Sequence, residues 1–232
     1  MLVLDLDQEL SILIHLKMTG QLFVYDQALV AAGGHGQDVP TEMAHGAPGK
    51  HTHVSLTFTD GSVLHFTDLR RFGYFGVVDA AGRAAALEPF GPEAPGKQFT
   101  VGYLRETLAK KKTALKNALL DQSLVAGLGN IYVDEAAHRA KVRPMRRADR
   151  LTSADVVRLH RAIKKILADA IALRGTSFND YRDARGKQGG YLQKLRVYGR
   201  TGERCLTCKQ GTIKKTKVNG RGTHYCPVCQ PR

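Results

Sequence analysis

The cysteines of this chain fall close to its C-terminus, as Cys205-x2-Cys208 and Cys226-x2-Cys229 with 17 residues between the pairs. Two thiolates two residues apart on a tight turn can reach one metal ion, and a second such turn completes a tetrahedron. The interval is the one that four-cysteine zinc sites use. Two disulfides or four unrelated buried thiols are the competing readings. The pairing and the lack of a secretory segment favour one structural zinc on Cys205, Cys208, Cys226 and Cys229. The intervening residues 211–225 read GTIKKTKVNGRGTHY. Asn219-Gly220 between strand formers is a hairpin signal. The sequence therefore predicts a short basic hairpin with Arg221 near its tip. A patch this small cannot hold itself by apolar burial, so the metal supplies its fold.

Three further groups have types that could do chemistry. The turn Gly127-Leu128-Gly129-Asn130-Ile131-Tyr132 opens a helix, whose free amides attract an anion and whose glycines let a phosphate approach. A plain helix–turn–helix connection is the default for such a turn. Arg70-Arg71-Phe72-Gly73 sets two cations beside an aromatic ring; arginine can contact phosphates or base edges and Phe can wedge between bases. The bland alternative is an arginine pair on a solvated strand end. Met18 reads equally as a core residue. Lys110-Lys111-Lys112 reads as a solvated helix face or as a phosphate-neutralising run.

Charge divides the chain. Residues 1–96 hold 5 Lys+Arg and 11 Asp+Glu, a net of −6, whereas residues 97–232 hold 30 and 10, a net of +20. So basic a half seeks a polyanion, either nucleic acid or an anionic membrane surface. No run of apolar residues is long enough to span a bilayer, and the N-terminus lacks the basic region of a signal peptide. Together with metal-spaced cysteines this places the chain in a reducing cytoplasm.

The elements that must position these groups change type along the chain. Short strand runs occupy Leu2–Leu6, Leu10–Leu16, Val54–Phe58, Val63–Phe66 and Phe72–Val78, with an Asp60-Gly61 hairpin turn, and suggest a sandwich or barrel. Gln27–Lys50, rich in Gly, Ala, Pro and His, reads as a long mobile surface loop in which His35 and His45 have no ligand spacing. From Thr100, a capping residue, the pattern turns helical, with one apolar face running from Tyr103, Leu104 and Leu108 through Leu115, Leu119 and Leu120. Ile131–Ala140 resumes a helix after the glycine turn. Thr152-x-x-Asp155 caps a long helix with Val156, Leu159, Ile163, Ile166, Leu167 and Ala170 inward and Gly175 at its end. Ser177–Gly190 is a polar flexible loop. The fold class is α+β multidomain: an incomplete β-sandwich (1–96), a helix–two-turn–helix domain with a loop (97–190), and a four-cysteine zinc-finger hairpin (191–232).

In this order IHLKMTG (14–20), KHTHV (50–54), DLRRFG (68–73), KKKTALKNALLDQSLVAGLGNIYVDEA (110–136), LQKLRVYGRTGERC (192–205) and VNGRGTHYCPVCQ (218–230) resemble the bacterial formamidopyrimidine-DNA glycosylases. The related endonuclease VIII shares the architecture, but the RRFG and LDQSLVAGLGNIYVDE stretches are more similar to the former. The resemblance implies a monomeric base-excision repair enzyme of the bacterial cytoplasm and nucleoid. It acts on 8-oxoguanine and formamidopyrimidine in damaged double-stranded DNA and flips the lesion out of the stack. By the same resemblance Asn130 and Arg221 grip phosphates around the flipped nucleotide, and Arg221 serves δ-elimination. Met18, Arg70 and Phe72 fill the vacated stack; His51, Arg70 and Lys112 contact DNA; the loop of Thr176–Gly190 closes over the base.

The family's nucleophile is an N-terminal proline followed by glutamate, and a lysine precedes the strand matched here by Leu2–Leu6. This chain begins Met1-Leu2-Val3. The expectation is that about fifty residues of the pattern are missing, through a start codon placed too late, and that the chain as it stands is inactive. The alternatives are a catalytically dead protein that binds damaged DNA, or a zinc-ribbon protein acting on RNA, which leaves Met18, Arg70 and Phe72 unexplained.

Overall fold

The computed structural model describes residues 1–26, 28–35, 43, 45–176, 181–182 and 189–231. They form two compact units, one of Met1–Leu87 with Leu173–Leu192 and one of Glu88–Ala172 with Gln193–Arg232.

The first unit contains strands β1 (Leu2–Asp5), β2 (Ser11–His15), β3 (Gly20–Asp26), β4 (Ala28–His35), β5 (Thr52–Thr57), β6 (Val63–Asp68) and β7 (Tyr74–Val78), helix α1 (Ala80–Leu87) and a two-residue strand β8 (Tyr181–Arg182). They make a three-stranded sheet in the order β1-β2-β7 and a five-stranded sheet in the order β5-β6-β3-β4-β8. Side chains alternate across a strand, so Ile12 and Ile14 of β2 face one way. They pack with Phe66 and with Leu22, Val54, Leu56 and Phe75 between the two sheets. A second cluster, Phe23, Tyr25 and Met43, lies on the opposite face of β3. The Asp60-Gly61 turn is as expected: Gly61 has φ +87° and Asp60 Oδ1 accepts from the Ser62 N–H at 2.9 Å.

Two readings of the sequence are corrected here. Gln27–Lys50 is not all loop, because β4 pairs with β3 from Asp26↔Ala28 to Gln21↔Gly34. Its Ala and Gly residues carry no alternation to betray a strand, yet their smallness is needed. A Cβ on Gly34 (φ +125°) would stand 2.4 Å from the Gly20 carbonyl oxygen. His45 is exposed. Within the polar loop Ser177–Gly190, Tyr181 and Arg182 add to the edge of β4, which carries residues 173–192 into the strand unit. The remainder of the 177–188 stretch, and residues 27, 36–42 and 44, lie outside the described residues.

The second unit holds helices α2 (Val101–Ala109), α3 (Leu115–Leu120), α4 (Asn130–Arg139) and α5 (Ser153–Ala172), then the hairpin β9 (Lys214–Val218) and β10 (Arg221–Tyr225). Thr100 Oγ1 accepts from the Tyr103 N–H at 3.1 Å and starts α2. Thr152 and Asp155 cap α5 reciprocally: Asp155 N–H donates to Thr152 Oγ1 at 3.1 Å and Thr152 N–H to Asp155 Oδ2 at 3.0 Å. The six apolar residues read as the α5 inner face are all buried. The apolar face read as continuous from Leu104 to Leu120 is instead broken at Lys110–Ala114. Tertiary partners end it: Leu115 and Lys116 N–H donate to the carbonyls of Arg146 and Pro144 at 2.8 and 3.0 Å. No helix among the described residues is long and apolar enough to cross a membrane.

Asp121 closes α3. Its carboxylate accepts from Lys111 Nζ at 2.8 Å and from the Ser123 N–H and hydroxyl at 3.0 and 2.6 Å. The lysine, then the serine, hold its pKa at about 2, below the ordinary 3.8. A depressed carboxylate stabilises above its unfolded pKa and loses that contribution as pH falls through the folded one. Asp121→Asn should therefore melt below the parent at neutral pH, with the gap narrowing from about pH 4 toward about pH 2. A gap independent of pH would show that the charge is irrelevant.

Candidate functional site

In the helical unit the four cysteine sulfurs lie within 4.8 Å of one another, with Cys205 and Cys229 at 3.8 Å and Cys208 and Cys226 at 3.7 Å. A tetrahedral zinc with bonds of about 2.3 Å needs sulfur–sulfur edges of about 3.8 Å. The set therefore fits one zinc. Each pair sits on a turn of its own: Lys209 N–H returns to the Cys205 carbonyl at 2.9 Å and Gln230 N–H to that of Cys226 at 3.0 Å. Backbone amides aim at the sulfurs. Gly211 N–H lies 3.3 Å from Cys208 Sγ, and with Gln210 N–H it lowers that thiol to about 6. Gly211 has no room for a side chain, since a Cβ there would meet Cys226 Sγ at 2.7 Å.

Helix α4 mounts this module through three buried polar residues, Asp134, Glu135 and His138. Asp134 Oδ1 takes Lys116 Nζ at 2.7 Å, and neither side chain has any exposure. Lys116 also donates to the Gly222 carbonyl at 2.6 Å, and Asp134 Oδ2 accepts the His224 N–H at 2.7 Å. Burial pulls the Lys116 pKa down, against the attraction of Asp134. Glu135 accepts the backbone N–H groups of Arg196, Val197 and Tyr198 at 2.9–3.0 Å. One turn on, His138 Nε2 lies 3.6 Å from Cys205 Sγ. Burial, then Arg196 and Arg200, lower its pKa to about 4, which favours the neutral ring beside a metal ligand. Gln230 closes the module, accepting from Cys226 N–H at 2.9 Å and donating to the Val142 carbonyl at 2.8 Å.

At the other end of α4, Asn130 is the first helical residue after Gly129, and no acidic residue occupies the first turn. Gly127 takes φ +88°. Gln122 braces the turn, accepting from Gly127 N–H at 2.9 Å and donating to the Leu128 carbonyl at 2.8 Å. Asn130 Nδ2 stands 3.3 Å from the Tyr198 hydroxyl, and the Tyr198 ring meets His224 at 4.7 Å between centroids. Arg221 is exposed at the start of β10 after Asn219 and Gly220, both at positive φ (47° and 75°). The fold thus links two residues 91 positions apart in sequence: Asn130 touches Tyr198, Tyr198 touches His224, and His224 shares a strand with Arg221. Lys112 is exposed in the turn after α2, while its neighbour Lys111 is spent on Asp121.

In the strand unit Met18, Arg70 and Phe72 come together on the surface. Met18 is 61 % exposed and Phe72 56 %. The Arg70 guanidinium lies 4.7 Å from the Phe72 ring centroid and 3.4 Å from Met18 Sδ. His51, half-buried, offers its carbonyl to Asp68 N–H at 3.0 Å. Sequence reading missed Lys116, Gln122, Asp134, Glu135, His138 and Tyr198. The signal available for the carboxylates and His138 was polar residues on what should be the buried face of a helix.

Comparison with known proteins agrees with this layout. Residues 1–75 match the formamidopyrimidine-DNA glycosylase N-terminal domain, residues 90–182 its H2TH domain, and residues 202–232 the zinc finger found in FPG and IleRS. The chain is 42 % identical to the formamidopyrimidine-DNA glycosylase of Herpetosiphon aurantiacus over 99 % of its own length and 77 % of the relative's. It is 42 % identical to that of Heliobacterium modesticaldum over 99 % and 78 %. It superposes on Lactococcus lactis Fpg in complex with abasic-site DNA with a TM-score of 0.80 and 35 % identity, covering 97 % of this chain and 76 % of that one. The wild-type Lactococcus lactis enzyme bound to DNA containing an N7-benzyl-Fapy-dG gives 0.81 and 34 %, with 99 % and 78 % covered.

The metal geometry sets a direct expectation. Metal analysis should find one zinc per chain, and its removal by a chelator should expose all four thiols to alkylation together. Cys226→Ser should lose the metal and the hairpin while the helices persist by circular dichroism. Thiols paired as disulfides in fresh protein would overturn the assignment.

Proposed function

Because the chain belongs to the formamidopyrimidine-DNA glycosylase family, we propose that it serves base-excision repair as a glycosylase and abasic-site lyase on oxidised purines in duplex DNA, 8-oxoguanine and formamidopyrimidine among them. The observation that carries this reading is the contact chain from Asn130 through Tyr198 and His224 to the hairpin of Arg221. It holds a helix N-terminus and an exposed cation in one rigid body, as gripping a phosphate backbone around a single nucleotide requires.

In this reading the basic helical unit binds phosphates, with Asn130, Lys112 and Arg221 among the contacts and His51 from the strand unit. Arg221 further assists δ-elimination. Met18, Arg70 and Phe72 occupy the space left by the flipped nucleotide, Arg70 against the opposite base. The metal has no chemical step; it holds the hairpin. The protein acts as a monomer on the bacterial nucleoid. Forming an imine at the sugar C1′ needs an amine within bonding distance. The second reading is a damaged-DNA-binding protein without chemistry.

Binding should fall steeply with salt. Arg221→Ala and Asn130→Ala should weaken binding to a duplex with an abasic analogue more than binding to intact duplex, and Arg70→Ala should alter preference for the opposite base. Equal losses on both DNAs would refute the lesion-site assignment. Borohydride traps imines, so it separates the two readings. A covalent adduct between the chain and abasic DNA supports the lyase reading. A folded chain that binds abasic DNA yet fails to trap favours the binding protein.

A further inference from the structure

The exposed trio in the strand unit hangs on two loops that spring from neighbouring strand ends. Gly20, opening β3, is paired with Asp68, closing β6. The loop before Gly20 carries Met18 and the loop after Asp68 carries Arg70 and Phe72. Each loop contains one non-glycine residue in the left-handed region, Lys17 at φ +49° and Arg71 at φ +56°. Each ends in a glycine with no space for a side chain. A Cβ on Gly20 would lie 2.5 Å from the Leu16 carbonyl oxygen, and one on Gly73 would lie 2.7 Å from Phe66 Cζ and 2.8 Å from Asp68 Oδ2.

One carboxylate connects the two loops. Asp68 is 1 % exposed. Its Oδ1 accepts the Thr19 hydroxyl from the first loop and the Arg70 N–H at 3.2 Å from the second. Its Oδ2 accepts the Gly73 N–H at 2.6 Å. Thr19 Oγ1 in turn accepts the Arg70 N–H at 3.1 Å, so Thr19, Asp68 and Arg70 close a triangle across the loops. Below it, Asp68 N–H donates to the His51 carbonyl at 3.0 Å and the Asp68 carbonyl faces His53 Nε2 at 2.9 Å. Burial raises the cost of the charge, but the Thr19, Gly73, Arg70 and Phe72 donors outweigh it and hold the carboxyl below its ordinary range. Every partner of the carboxylate is a donor, so an amide in its place would turn an NH2 group toward another donor.

We infer that Asp68, with Thr19, is a positioning residue that locks the loop of Met18 to the loop of Arg70 and Phe72, so that the three side chains enter a duplex as one preassembled wedge. Ordering three exposed side chains separately would draw on binding free energy at each; a shared mount removes most of that cost before DNA arrives. The mutual contacts of Met18, Arg70 and Phe72, far out in solvent, are what such a mount produces. The inference rests on the reading of these three as void-filling residues.

The test uses the 232-residue chain and a duplex with a tetrahydrofuran abasic analogue opposite 2-aminopurine, whose fluorescence reports unstacking of the facing base. Met18→Ala and Phe72→Ala should reduce both the fluorescence change and the preference for abasic over intact duplex. Thr19→Val and Asp68→Asn, which touch no DNA in this reading, should do the same by about fivefold or more, while Thr19→Ser keeps the parental values. Adding Thr19→Val to Met18→Ala should cost less than the sum of the two. Melting temperature and zinc content verify folding, and if Asp68→Asn fails to fold, the Thr19 Val/Ser pair decides alone. Parental behaviour of Thr19→Val, or strict additivity with Met18→Ala, overturns the inference and leaves the void-filling reading intact. If Met18→Ala and Phe72→Ala are themselves without effect, the void-filling reading falls, and the inference with it.

Discussion

A lysine and an aspartate without exposure face each other in the helical unit, and the geometry of everything around them follows from keeping both charges satisfied. Lys116 and Asp134 meet at 2.7 Å. Neither could be ionised alone at that depth, because an unpaired buried charge costs several kcal/mol, roughly 3–5 when one partner of a pair is removed. Their remaining hydrogen-bonding capacity is spent on one object, the hairpin strand β10: Lys116 on the Gly222 carbonyl and Asp134 on the His224 N–H. The pair therefore specifies where the hairpin sits on the helices. Apolar burial of the same volume would be as stabilising but would not fix the strand's register against α4.

The same helix distributes its other buried polar groups in the same way. Glu135 holds the chain at residues 196–198 by backbone amides alone, which is independent of the side chains there. His138 reaches the sulfur of Cys205. Asn130, on the first turn, contacts Tyr198, which Glu135 has fixed. One ten-residue helix thus carries the half-buried Asn130 at its start and three anchors for the metal module behind it. The zinc-binding thiols supply the module's internal rigidity and α4 its orientation. Neither suffices for placing Arg221, which emerges from the Asn219-Gly220 turn between them.

In the strand unit a single carboxylate has the corresponding role. Among the described residues Asp68, unlike Asp134, has no cationic partner: its charge is balanced by a hydroxyl and backbone N–H groups. The arrangement is possible because Gly73 has no side chain to hold its amide away. In both units the residues at the surface are few and unremarkable by type, and a buried acidic group behind them determines where they point.

The sequence by itself determined the parts whose physics is local. Cysteine spacing fixes a zinc turn, Asn-Gly fixes a primed hairpin turn, Thr152 and Asp155 cap a helix, and the 3.6-residue period of α5 identifies its inner face; each depends on neighbours within a few residues. The family resemblance added expectations for the site residues on either unit. Tertiary structure decided what depends on partners far along the chain. Strand β4, poor in side chains, exists because β3 pairs with it. The break between α2 and α3 exists because Arg146 and Pro144 take the first amides of α3. The partners of Lys116, Asp134, Glu135 and Asp68 depend on the tertiary structure in the same way. A charged residue in a sequence reads as solvated surface until a fold encloses it, and only the fold supplies the distant donors and acceptors that make its burial affordable.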